Sequence, residues 1–160
     1  MYLICDFDGT LVKNDYFVEQ LSAAMIRNPF KIISQLVSKS TLEVKHIYLD
    51  NFNPQSAALL LNEEVSELVK TEKSKFTKTI LLTASTNDFI KKIHPIVPFF
   101  DEVYGSTSIN LKSSQKLNFI REMKLEPFVY IGDSKDDEIL FEHANYYYKV
   151  IKNKPVLFKP

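Results

Sequence analysis

A chain of 160 residues with 20 basic and 20 acidic side chains has no overall field that would favour nucleic acid or an anionic membrane. Its 12 Phe and 8 Tyr argue against disorder and supply the core of one domain, with room for a small appended subdomain. The single cysteine, Cys5, excludes an internal disulfide. No apolar run approaches the roughly 18 residues of a membrane span, and no basic stretch leads into an apolar leader, so a cytoplasmic protein is expected.

In chain order, "YLIC" (2–5) reads as a short strand buried on both faces, the kind found in the middle of a parallel sheet. Asp6, Asp8, Gly9 and Thr10 follow at its carboxyl end. Residues 15–61 contain no convincing strand. "YFVEQLSAAMIRN" and "FKIISQLVSK", separated by Pro29, predict two helices, and "TLEVKHIYLDNF" predicts a third that ends near Pro54. Nearly fifty residues are too many for an ordinary connection, so 15–61 is expected to be a helical insert over the edge where the strands end. Its Phe17, Met25, Ile26, Phe30, Ile32, Ile33 and Leu36 are expected mostly to pack the insert on itself.

Beyond the insert, "NEEVSELVKTEKSKF" (62–76) predicts a helix with acids early and lysines late, as the helix dipole favours. "TILLTA" (79–84) is a buried strand, and Thr86 or Asn87 is a candidate cap for the helix "TNDFIKKIH". "DEVYGS" (101–106) is a weaker strand, "SSQKLNFIREMK" (113–124) a helix and "FVYIGD" (128–133) a third buried strand. "KDDEILFEHA" (135–144) predicts a helix and "YYYKVI" (146–151) a late strand, with 155–160 as a surface tail. Alternation of this length predicts an α/β fold, a doubly wound, Rossmann-like parallel sheet. Its core comprises 1–14 and 62–154, interrupted by the helical insert.

Parallel strands bring their carboxyl ends to one edge. There Asp6 and Asp8, Thr83, and Asp133, Asp136 and Asp137 of "GDSKDD" can meet Lys116, which precedes the last of these strands on a helix. Clustered carboxylates need a cation or a proton. Hard oxygen ligands beside phosphate chemistry suit Mg²⁺. One aspartate can act as a nucleophile toward phosphorus, and a second can protonate the leaving oxygen. Thr83 has Ser85 as a competing hydroxyl, and Lys116 has Lys112 as a rival. His46, His94 and His143 stand at no metal-ligand spacing.

Four motifs, "DFDGT", the Thr83 of "ILLTAS", Lys116 of "SSQKLNFI" and "GDSKDD", resemble those of the haloacid dehalogenase superfamily, phosphatase branch, over about residues 2 to 150. The resemblance implies Asp6 as nucleophile and Asp8 as general acid/base. It implies Thr83 and Ala84 on the phosphoryl group, with Lys116 neutralising the phospho-aspartate. Mg²⁺ would be held by Asp6, Asp133 and the backbone carbonyl of Asp8, and Asp137, at the family's spacing, would orient that shell. The insert resembles the helical cap of the family's first class. "NEEV", "TAS" and the Asn110–Lys116 stretch are similar to the phosphatase-like domain found ahead of some ubiquinone-type membrane prenyltransferases. The expectation is a monomeric or weakly dimeric Mg²⁺-dependent phosphatase acting on a small phosphorylated metabolite, with no nucleic-acid partner and no membrane span. A phosphomutase or a silent phospholigand-binding module are the alternatives.

Overall fold

Side chains alternate across a strand, so a strand that is apolar at every position must be covered on both faces. In the computed structural model, which describes residues 1–50 and 59–159, β1 (Tyr2–Cys5) obeys this rule. Leu3 and Cys5 join Phe7, Val65, Val69, Phe89 and Ile93 in one apolar core. Ile4 joins Ile80, Leu82, Leu117, Ile120, Tyr130 and Leu140 in the other. Helices α4 (Glu63–Glu72) and α5 (Asn87–Ile93) supply the first layer. Helices α6 (Ser114–Glu122) and α7 (Glu138–His143) supply the second.

The sheet adds β2 (Thr79–Thr86), β3 (Glu102–Ser106), β4 (Phe128–Gly132), β5 (Tyr146–Ile151) and β6 (Lys154–Phe158), in the order β3-β2-β1-β4-β5-β6. The first five strands are mutually parallel; β6 runs antiparallel to β5. The chain winds outward from β1 through β2 to β3, then crosses back to β4. The reversal opens a crevice at the carboxyl ends of β1 and β4, the usual ligand position in such sheets.

Several elements depart from the sequence-based expectation. β2 runs two residues further, to Thr86. Neither candidate cap of α5 serves through its side chain. Thr86 instead donates to the Asp50 carboxylate, and the Asn87 side chain accepts from Gly105 N at 3.2 Å. The expected surface tail is in part β6, paired with β5 from Ile151↔Lys154 to Tyr147↔Phe158. Lys152 and Asn153, both at positive φ, form the tight turn that permits this hairpin.

The insert supplies α1 (Tyr16–Arg27), α2 (Pro29–Ser38) and α3 (Thr41–Leu49), each with a side chain answering its orphan N–H groups. Asp15 accepts from Val18 N at 3.0 Å. Asn28 accepts from Lys31 N at 3.3 Å, ahead of Pro29 in the first turn. Ser40 and Glu43 form a reciprocal capping box. The expectation for 51–58 lies outside the described residues. Self-packing of the insert needs correction: Tyr16, Ile32, Val44 and Leu49 are buried, but Ile26, Phe30, Ile33 and Leu36 are exposed. Three short helices enclose only one face of α2, and among the described residues no layer covers its other face. Among the described residues no helix is long and apolar enough to cross a membrane.

Polar groups tie α3 to the sheet. The His46 ring meets the Asp50 carboxylate at 2.7 Å, while Asp50 also accepts from the Thr86 hydroxyl and, through its backbone oxygen, from Lys92. The hydrogen bond to Asp50 raises the His46 pKa against a smaller opposing effect of burial. A raised folded-state pKa stabilises fully below the unfolded value and is lost as pH climbs through the folded one. Urea midpoints of wild type and His46→Gln should therefore differ most at about pH 6 and converge toward about pH 9. The difference is small, because the pair is partly solvated.

Candidate active site

The residues that end β1 are forced to turn. Asp6 N still donates to Ile131 O of β4 at 2.9 Å, but Gly9 adopts φ +72°, a region costly for other residues. A Cβ at Gly9 would lie 2.5 Å from Asp133 Oδ2. The missing side chain is what lets the loop after β1 close on the acid that ends β4. Thr10 secures the closure, its hydroxyl donating to Asp133 Oδ1 at 3.1 Å.

Three of the sequence-predicted acids meet there. Asp6, Asp133 and Asp137 each offer a carboxylate oxygen, all within 4.8 Å of one another. Lys116 rises from α6 and places its Nζ 2.8 Å from Asp6 Oδ1 and 3.5 Å from Asp137 Oδ1. Asp6 Oδ1 also accepts from Phe7 N at 2.8 Å. Both bonds fall on one oxygen, Oδ1, and Asp6 lines the pocket. Asp137 is the buried member of the "GDSKDD" pair. It accepts from the Tyr130 hydroxyl at 2.8 Å and from Ser134 N and Oγ at 3.2 and 2.9 Å. Asp136 stands at the rim with Lys112 at 3.0 Å, so neither rim residue reaches the cluster.

Asp8 lies apart from that cluster and is gripped at both oxygens. Tyr16 N donates to Oδ1 at 3.2 Å and Ser85 Oγ donates to Oδ2 at 2.9 Å. Thr83 is buried on the pocket wall, its hydroxyl accepting from Ser85 N at 3.0 Å. Ala84 lines the same wall. The competing hydroxyls thus divide the work: Ser85 holds the second acid and Thr83 faces the cavity of about 390 Å³ that the acids surround.

Sequence reading missed two contributors. Tyr130 lies on β4 inside an apolar core, and its hydroxyl bonds both Lys116, at 2.9 Å, and Asp137. Its signal was a phenol in a strand otherwise free of polar side chains, because a buried hydroxyl requires a partner. Lys45, on α3, reaches from the insert to donate to Ala84 O at 2.7 Å, with Asn110 Oδ1 at 3.4 Å. It is buried, and only its place beside Val44 on the core-facing side of α3 hinted at this.

The electrostatics follow from burial. Asp6 is pushed up to about 7, chiefly by desolvation, with Asp137 and Asp8 adding like charge and Lys116 opposing. Desolvation likewise lifts Asp8 to about 6, Asp15 adding to the rise and Ser85 limiting it. Asp133 is raised mainly by burial. Burial pulls Lys116 down, but Asp6 and Asp137 outweigh it and the net direction is up. Asp6 and Lys116 thus rise together. Three acids and one lysine leave excess negative charge in a hard-oxygen nest, which suits a divalent cation and would return Asp6 to its ionised form.

No family model matches the sequence. A curated relative, the uncharacterised protein y4nM of Sinorhizobium fredii, is 32% identical over 146 residues, covering 89% of this chain and 28% of that protein. The chain thus spans less than a third of the relative's length. Solved structures give the fold. A phosphoserine phosphohydrolase-like protein from Francisella tularensis superposes with TM-score 0.65 at 15% identity, over 96% of this chain and 88% of that one. A phospho-aspartyl intermediate analogue of phosphoserine phosphatase gives 0.61 at 16%, over 92% and 85%. A haloacid dehalogenase-superfamily hydrolase from Ehrlichia chaffeensis gives 0.57 at 20%, over 96% and 88%. The chain shares the fold of these proteins.

Removing the ammonium strands two buried acids, Asp6 and Asp137. Lys116→Met should cost about 3 kcal/mol in urea unfolding near pH 8. The deficit should shrink as pH falls and Asp6, already raised to about 7, takes up a proton.

Proposed function

We propose that this chain is a Mg²⁺-dependent phosphomonoester hydrolase that works through an aspartyl-phosphate on Asp6. The carrying observation is the juxtaposition of Asp6, Lys116, Asp133 and Asp137 at the switch point of the sheet, with ligand oxygens within 4.8 Å. Asp6 and Asp133 would hold the cation together with the backbone carbonyl of Asp8, and Asp137 would orient Lys116 and this shell. When bound, Mg²⁺ supplies charge compensation for a dianionic phosphoryl group approaching carboxylates.

The side chains do the remaining chemistry. An Asp6 carboxylate oxygen attacks phosphorus and the bond to the leaving oxygen breaks. Asp8, whose half-buried carboxyl is raised to about 6 by desolvation, retains a fraction of its acid form near neutral pH to give that oxygen its proton. As a carboxylate it then takes a proton from water. The water oxygen bonds to phosphorus, the bond to Asp6 breaks, and inorganic phosphate leaves. The paired hydrogen bonds from Tyr16 N and Ser85 Oγ hold Asp8 in place for both transfers. Thr83 and the backbone at Ala84 would steady the phosphoryl oxygens. A cavity of about 390 Å³ suits a small phosphorylated metabolite.

Asp6→Asn should reduce Mg²⁺-dependent hydrolysis of p-nitrophenyl phosphate by about 1,000-fold or more, read as p-nitrophenol release. Undiminished turnover would refute the assignment. Sugar-phosphate isomerisation without phosphate release would instead indicate a mutase.

Lys45 brings the insert's positive charge to the pocket, where Asp8 and Asp15 lie within its electrostatic reach. Its two acceptors are a carbonyl and an amide oxygen, neither of which neutralises it. Lys45→Met should raise KM about tenfold with a smaller effect on kcat, because the ammonium attracts the substrate dianion without touching the bond that breaks.

A further inference from the structure

The insert that carries Lys45 inward presents the opposite character outward. On α2, Phe30, Ile33 and Val37 recur at helical spacing and share one stripe, 85, 52 and 84% exposed. Ile26, in the last turn of α1, is 86% exposed and lies just across the Asn28–Pro29 corner. The same helix turns Ile32 into the insert and engages Gln35 with the Tyr48 hydroxyl, so its orientation is set and the apolar stripe is held outward.

Charge in this stretch is one-sided. From Gln20 to Leu42 the sequence contains no aspartate or glutamate, while Arg27, Lys31 and Lys39, all exposed, lie within it. The chain as a whole is neutral, so this surface departs from the average in both hydrophobicity and sign. Large apolar side chains bordered by long basic ones, with serines Ser34 and Ser38 between, match the boundary of an anionic bilayer. There the rings and branched chains enter the acyl region and the cations remain among the headgroups. A second copy is a poorer occupant, because a two-fold pairing of this face would set its cations against one another.

We infer that the α1–α2 hairpin is a peripheral docking surface for an anionic lipid bilayer, seated through Ile26, Phe30, Ile33 and Val37 and oriented by Arg27, Lys31 and Lys39. It is an in-plane attachment and spans nothing. The inference is independent of the proposed hydrolase, because none of these residues lines the catalytic cavity.

The test is co-sedimentation of the whole chain with unilamellar vesicles of phosphatidylcholine alone, or containing about one third phosphatidylglycerol. Wild type should partition to the anionic vesicles at least about tenfold more strongly, and lose most of that binding between about 0.1 M and 0.5 M salt. Each basic residue near the surface strengthens binding roughly fivefold, so R27Q/K31Q/K39Q should weaken it by about a hundredfold. F30S/V37S should weaken it at least about tenfold. Both variants should keep the wild-type circular dichroism and p-nitrophenyl phosphate turnover. Absence of vesicle binding, equal binding to both vesicle types, or binding that survives F30S/V37S would overturn the inference. So would a dimer in sedimentation velocity that F30S/V37S dissolves, since the face would then be occupied by a second copy.

Discussion

The Lys116 ammonium holds the carboxyl edge of the sheet together. It is almost fully buried, 2.8 Å from Asp6, 3.5 Å from Asp137 and 2.9 Å from the Tyr130 hydroxyl. A buried cation is tolerated only if carboxylates and hydroxyls answer it, and buried carboxylates are tolerated only if a cation does. The contact therefore couples α6, the end of β1, the turn after β4 and a tyrosine in the second core. Each piece is positioned by ordinary apolar packing, and together they concentrate charge where the strand order reverses.

Glycine makes that concentration possible at close range. Gly9 allows the loop after β1 to lie against Asp133, and Gly132 does the same for Asp137, where a Cβ would stand 2.7 Å from Oδ2. Both acids of the β4 turn are thus pressed against backbone that carries no side chain. The resulting excess of negative charge is what a divalent cation and then a phosphoryl group would each respond to, in opposite senses. Lys116, and Lys45 from the insert, temper the field so that an anion can approach.

The insert reconciles two surfaces of unlike chemistry. Its inward side combines buried Tyr16, Ile32, Val44 and Leu49 with specific polar contacts: Lys45 on the Ala84 carbonyl, and His46 and Thr86 on Asp50. Its outward side exposes Ile26, Phe30, Ile33 and Val37 together with Arg27, Lys31 and Lys39. The chain's balanced charge is an average over an acid-rich sheet edge and a stretch from Gln20 to Leu42 without acids, and composition cannot distinguish that from a uniformly mixed surface.

Local pattern by itself determined the alternation of strands and helices, the parallel sheet, and one edge shared by Asp6, Asp8, Thr83, the acids of "GDSKDD" and a lysine of the preceding helix. Strand ends and helix faces follow from the periodicity of neighbouring residues, and parallel strands share an edge whatever their order along the chain. Only the tertiary structure decided that Asp137 is buried while Asp136 pairs with Lys112, and that Ser85 and Tyr16 grip Asp8. It also placed Lys45 and Tyr130 in the network, drew residues 154–158 into the sheet, and left Phe30 and Val37 uncovered. Those outcomes depend on which distant element lies opposite a side chain, and whether a helix face is buried is settled by its neighbours rather than by its own spacing.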